Sequence, residues 1–161
     1  MVRSEVVVGK TGRAVIFLQG LRVSGIQLLG EPSGPAKAQD LCGAASAVER
    51  FLNGEEDALA ELEADLDVHQ LPKFTRRTLQ QMLSIPRGET ISYGELAKKL
   101  GRSGSARAVG GACARNPIPI LIPCHRVVSA NGPGGFSSGL AWKRRLLAAD
   151  TGDINTFLKE E

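Results

Sequence analysis

Ile91-Ser92-Tyr93-Gly94-Glu95-Leu96-Ala97-Lys98-Lys99-Leu100-Gly101 is the stretch that decides the fold. Ser92 and Glu95 have the spacing of a capping box, in which each side chain satisfies the other residue's backbone amide. Ile91 and Leu96 stand at the positions of a hydrophobic staple that fixes the entry of the chain. A helix is therefore predicted from Tyr93 to about Leu100, with Gly101 just past its end. The turn Arg102-Ser103-Gly104 leads to a second helix over 105–115, which Asn116-Pro117 terminates. Two short helices joined by a glycine-containing turn read as a helix-turn-helix.

The second helix is almost free of bulk, with Ala106, Ala108, Gly110, Gly111, Ala112 and Ala114. Glycine costs helix stability, and small residues allow another surface to come close. That surface is either a neighbouring helix or a nucleic acid. Arg107 projects from among these small residues, as a salt-bridge partner or as a probe into DNA.

Downstream, residues 118–128 are apolar with prolines and read as a buried, irregular strand. It carries Ile122-Pro123-Cys124-His125-Arg126-Val127. A glycine-rich loop with Phe136 spans 129–139. A last helix is predicted over 140–149, with Leu140, Leu146 and Leu147 apolar and Lys143, Arg144 and Arg145 basic. Upstream, a helix over 75–84 turns Leu79, Met82 and Leu83 inward, and Pro86-Arg87-Gly88 ends it. The first 30 residues read as a β-meander with strands over 5–8, 13–19 and 21–29. A loop over 31–35 and a helix over 36–52 follow, with Asn53-Gly54 as the stop. The acidic stretch 55–67 is a solvated helix or a connecting arm ending in a short strand near 66–68.

The chain of 161 residues has room for a core without disulfide or metal staples. Its net charge of +3 conceals an asymmetry. Residues 1–72 carry a net −5, residues 73–150 a net +10 and residues 151–161 a net −2. A half this basic suits a polyanion partner or a solvated basic face. The charge changes sign near His69–Lys73, which sets the expected boundary between a domain over 1–72 and one over 73–161. No apolar run is long enough to span a bilayer, and the N-terminus lacks the pattern of a secretory signal. Three widely spaced cysteines (Cys42, Cys113, Cys124) and two histidines suggest reduced thiols and no zinc site. Cys42 and Cys113 read as small buried apolar residues.

Cys124 differs because a histidine and an arginine follow it. A thiol attacks as thiolate, which nearby cations favour and an adjacent base can generate. Neighbours on an extended segment point to opposite sides, so proton transfer to His125 needs a turn or a bridging water. Asp150 is one of only three acids in the basic half. It sits at a helix C-terminus, where the dipole disfavours a negative charge. A thiol acting on a base in duplex DNA can reach its target only if the base flips out.

Ser92-Tyr93, Ala106-Arg107-Ala108-Val109-Gly110, Asn116-Pro117 and Ile122-Pro123-Cys124-His125-Arg126-Val127 resemble, in order, the O6-alkylguanine-DNA alkyltransferases. The resemblance covers about residues 73–150. It implies an α/β (α+β) chain: a small N-terminal ribonuclease H-like α/β domain, then a mostly helical C-terminal domain with a helix-turn-helix. It implies irreversible, stoichiometric transfer of an alkyl group from O6-alkylguanine, or O4-alkylthymine, to Cys124. His125 takes the thiol proton through a water, and Asp150 orients the imidazole. Asn116 stiffens the turn before the cysteine, and Tyr93 crowds the phosphate and bonds the base. Arg107 fills the gap left in the stack, with Ser92, Ala106, Ala108, Gly110 and Gly111 against the minor groove. Pro119, Val127, Phe136 and Ser137 form the pocket. Double-stranded DNA carrying O6-alkylguanine is the implied partner of a cytoplasmic monomer, with no membrane, cofactor or metal. Compared with the family pattern, Asp150 replaces a frequent Glu, Phe136 replaces Tyr, and the pocket loop is about one residue shorter.

Overall fold

The computed structural model describes residues 1–30, 34, 39–59 and 65–154. The chain opens with an antiparallel meander, β1 (Val2–Gly9), β2 (Gly12–Gln19) and β3 (Arg22–Leu29), in the order β1-β2-β3. Its strands alternate, with Val7, Ala14, Ile16, Leu18, Val23 and Ile26 buried. Leu66 adds a single parallel bridge to Val23, which is all that forms of the short strand expected near 66–68. Most of the loop over 31–35 and part of the acidic stretch lie outside the described residues.

Helix α1 (Ala44–Leu52) covers the sheet. The helix expected over 36–52 begins late. Gly43 is left-handed (φ 76°), and so is Asp40 (φ 48°), whose carboxylate accepts from the Ala45 amide at 3.0 Å. Leu41 therefore precedes the helix and is exposed. Residues 36–38 of the expected helix lie outside the described residues. At its other end α1 is held by the β1–β2 turn. The Thr11 amide and hydroxyl both donate to Leu52 O (3.2 and 2.9 Å), and the Lys10 amide donates to Asn53 Oδ1 (2.9 Å).

The second half contains α2 (Lys73–Met82), β4 (Ile91–Ser92), α3 (Tyr93–Lys99), α4 (Ala106–Ala114), β5 (Val127–Val128) and α5 (Leu140–Thr151). Both arms of the capping box are present. Ser92 Oγ accepts from the Glu95 amide, and the Glu95 carboxylate accepts from the Ser92 amide. Gly101 is left-handed, as a C′ residue should be. β4 and β5 pair in parallel, Ile91 with Val127 and Ser92 with Val128. This two-residue ladder fixes the start of α3 against the chain that follows Cys124.

Two expectations are corrected. Residues 118–128 are not a strand. A turn with Ile120 at φ 74° leads into a 3₁₀ turn over Cys124–Arg126, and only Val127–Val128 are extended. Pro117, Pro119 and Pro123 cannot donate ladder bonds, so the segment folds on itself, with the Ile122 amide donating to Ile118 O. Leu83, expected to face inward, is exposed, because α2 ends at Met82. On α5 the buried residues are Trp142, Lys143, Arg145, Leu146, Ala149 and Asp150, while Leu140, its first residue, is exposed.

The docking of α1 on the meander gives a direct test. A Cβ at Gly9 would overlap that of Leu52 and lie 3.1 Å from the Leu52 carbonyl carbon. Gly9→Ala should lower stability to urea unfolding by about 1–3 kcal/mol; an unchanged midpoint would show that α1 is not packed this closely.

Candidate functional site

The 3₁₀ turn answers the geometric problem of Cys-His neighbours on an extended segment. Cys124, His125 and Arg126 are all buried, with His125 at 0% exposure. The turn directs Cys124 into a cavity of about 550 Å³ lined by Tyr93, Ala106, Arg107, Gly110, Cys113, Ala114, Gly135, Phe136 and Ser137. His125 and Arg126 lie on the other side, against Asp150. His125 Nε2 is 2.9 Å from Asp150 Oδ2. Arg126 donates from Nε to Oδ2 and from Nη2 to Oδ1, each at 2.7 Å, and from Nη1 to Ile85 O at 2.8 Å. The Asp150 carboxylate thus leaves its helix terminus for two partners on the cysteine turn.

This corrects the expected electrostatics. Arg126 is committed to Asp150, and Lys143 is the cation that acts on the thiol. Burial pushes the Cys124 thiol above its ordinary value. The Asn116 side chain and Lys143 favour the thiolate but do not overcome burial. Burial pushes His125 below the ordinary imidazole value against the opposing pull of Asp150. Burial would raise Asp150, but hydrogen bonds from Arg126 and His125 outweigh it and hold the carboxyl below the ordinary carboxylate range. A neutral His125 facing an ionised Asp150 carries its proton on Nε2, leaving Nδ1 as an acceptor. Nδ1 is buried with no hydrogen-bond partner among the described residues.

Asn116 braces the turn at both ends. Its Nδ2 donates to Ile122 O (2.8 Å), and its Oδ1 accepts from the Ile118 amide (3.0 Å). Tyr93, placed by the capping box and β4, donates to Gly135 O at 3.3 Å. Lys143 Nζ donates to Val127 O (2.6 Å) and Gly135 O (3.0 Å) and lies 5.8 Å from the centre of the Tyr93 ring. Gly134 is left-handed, and a Cβ there would come within 2.7 Å of the Tyr93 hydroxyl.

Of the expected site residues, Tyr93, Ala106, Arg107, Gly110, Cys124, Phe136 and Ser137 meet at one cavity. Arg107 lines the cavity and is exposed. Ala108 is exposed and Gly111 partly so, on the same helix. Ser92 serves as the N-cap of α3. Pro119 and Val127 do not line the cavity. Pro119 lines a neighbouring cleft with Asn116, Pro117 and Ser137, while Val127 is buried and its carbonyl accepts from Lys143. Cys113 is not a plain core residue. It lines the cavity beside Cys124, and burial, together with the Cys124 charge, pushes its thiol up to about 12. Lys143 escaped the sequence reading, although it stands three residues before Leu146 and so on that residue's helical face.

The family model described as "6-O-methylguanine DNA methyltransferase, DNA binding domain" matches residues 73–152. A methylated-DNA–protein-cysteine methyltransferase of Mycobacterium leprae is 43% identical over 116 residues, covering 71% of this chain and 68% of that protein. The crystal structure of Mycobacterium tuberculosis O6-methylguanine methyltransferase superposes with a TM-score of 0.79 at 32% identity, over 98% of this chain and 99% of that one. The M. tuberculosis OGT structure in complex with DNA gives 0.78 at 30% identity, over 96% and 98% of the two chains. The order of the motifs, the geometry around Cys124 and this likeness along nearly the whole chain agree: the chain belongs to the methylated-DNA–protein-cysteine methyltransferase family.

Proposed function

We propose that this protein repairs alkylated DNA by direct reversal, moving the alkyl group of O6-alkylguanine onto Cys124. The observation that carries this reading is a buried cysteine facing an open cavity at the foot of α4, with a histidine–aspartate pair behind it. The sulfur attacks the alkyl carbon, and the carbon–O6 bond breaks with its electron pair left on the base. The proton lost by the thiol balances the one guanine takes up. A thioether has no easy route back, so each chain acts once and needs no cofactor.

Position in the fold and the family resemblance together support the following roles. Because the thiol is raised, Cys124 needs a base, and His125 Nδ1 can accept its proton through a water. Asp150 holds the imidazole in the tautomer that leaves Nδ1 free. Asn116 braces the turn, and Tyr93 stands at the cavity wall to meet the base and its phosphate. Residues 73–161 form the DNA-binding and acceptor domain, with α3 and α4 as a helix-turn-helix placed in the minor groove. The small residues of α4 (Ala106, Ala108, Gly110, Gly111) permit close approach, and Arg107 enters the stack when the base flips out. Residues 1–72 form a ribonuclease H-like support domain. No helix among the described residues is long and apolar enough to cross a membrane, and the protein works in the cytoplasm as a monomer on duplex DNA.

Incubation with a duplex containing one O6-methylguanine should add one methylene to the mass of Cys124, stoichiometrically and without turnover. Tight binding with no mass gain would instead make the protein a binder of damaged DNA. Arg107→Ala should slow repair in duplex roughly tenfold, about 1.4 kcal/mol, and leave reaction with free O6-alkylguanine unchanged; equal slowing of both would remove the finger role.

The depressed His125 value sets the pH response. His125 stays neutral below the pH at which a free imidazole protonates, about 6.5. Single-turnover transfer should therefore lose rate only as pH falls through that depressed value. Stability follows the same sign. His125 and Asp150 both bind protons more readily when unfolded, so their contribution is complete above their unfolded values and is lost on acidification. A rate profile centred at or above the free imidazole value would contradict this assignment.

A further inference from the structure

Arg87 binds two helix ends at once. Its Nε donates to Asp150 O (2.7 Å) and its Nη2 to Ala149 O (2.9 Å), carbonyls of the last turn of α5, where Ala149 O also accepts from the Gly152 amide (3.3 Å). Its Nη1 donates to Glu55 O (2.6 Å) and its Nη2 to Gly54 O (3.3 Å), in the turn that follows α1. The two helix ends also meet directly, since a Cβ at Gly54 would lie 2.6 Å from Ile154 Cδ1. α1 itself reaches the site through Phe51, whose ring centre is 5.9 Å from that of His125.

Asp150 is therefore fixed twice. Arg126 and His125 hold its carboxylate, and Arg87 holds its main chain. An aspartate side chain has only one methylene between backbone and carboxyl, so the height of its main chain decides whether the carboxylate meets both partners. We infer that Arg87 is a positioning residue for alkyl transfer: by clamping the end of α5 to the turn after α1, it sets Asp150 against His125. The inference rests on the roles of His125 and Asp150 proposed above. It gives the N-terminal half a defined part in the chemistry, because the clamp's other end is Gly54-Glu55.

The charged and titratable groups facing this point are His125 and Arg126 from the 3₁₀ turn and Lys143 from α5, which acts on His125. Asp57 and Arg126 share a cavity wall with Arg87. A helix cap alone would affect stability only. A positioning role also moves the pH profile, because His125 loses the neighbour that favours its charged form.

The test compares the full-length protein with Arg87→Met, Arg87→Lys and Asp150→Asn. Single-turnover methyl transfer is measured across pH, with affinity for the same DNA and thermal midpoint alongside. Arg87→Met should slow transfer about tenfold, leave DNA affinity unchanged and move the acid limb to lower pH, with Arg87→Lys recovering part of the rate. Lower stability with rate and limb unchanged, at a temperature where the variant is folded, overturns the inference. If Arg87→Met does not fold, Arg87→Lys must itself show the displaced limb. If Asp150→Asn slows transfer and the Arg87 variants do not, the Arg87 role alone falls. If Asp150→Asn changes nothing, the underlying reading of Asp150 falls, and this role falls with it.

Discussion

A carboxylate with almost no solvent exposure holds the functional half together. Asp150 accepts two hydrogen bonds from Arg126 and one from His125. Breaking a buried pair by removing one partner costs about 3–5 kcal/mol, because the other charge is left uncompensated. The last helix and the cysteine turn therefore cannot separate cheaply. Arg126 extends the network to Ile85 O after α2, and Arg87 extends it to the turn after α1. The position of Cys124 depends on this cluster.

The same cluster decides the chemistry. An activated cysteine is usually pictured beside a cation that lowers its pKa. Here burial prevails and the thiol is raised, so on the proposed mechanism reactivity depends on the resident base, His125. Lys143 completes the arrangement from the other side. It links Val127 and Gly135 and sits beside the Tyr93 ring, so the cysteine turn, the pocket loop and the first turn of α3 are held by one buried ammonium. A resting thiol that is hard to ionise suits an acceptor that can be used only once, since it resists casual alkylation.

Much of this was legible in the sequence because local rules carried it. The capping box at Ser92 and Glu95, the left-handed Gly101 and the bulk-free 106–114 helix depend on near neighbours, and each formed as expected. The misplaced Asp150 was visible as a charge at the wrong end of a helix. What the sequence did not disclose depends on partners far along the chain. Arg126 looked like the thiol's cation and proved to be the aspartate's. Lys143 looked like one of three consecutive basic residues on the last helix and is buried. Cys113 looked like core and lines the cavity. The turn at Cys124 was missed because an apolar, proline-rich run of that length fits a buried strand as well as a folded-back loop.

The proposed mechanism turns on Asp150 fixing His125 as the neutral tautomer protonated on Nε2, with Nδ1 free to serve Cys124. Nitrogen-15 NMR of the His125 ring in the unalkylated protein at neutral pH reads this directly. The expected result is a protonated Nε2 and an unprotonated Nδ1. A proton on Nδ1, alone or as part of an imidazolium, would contradict it.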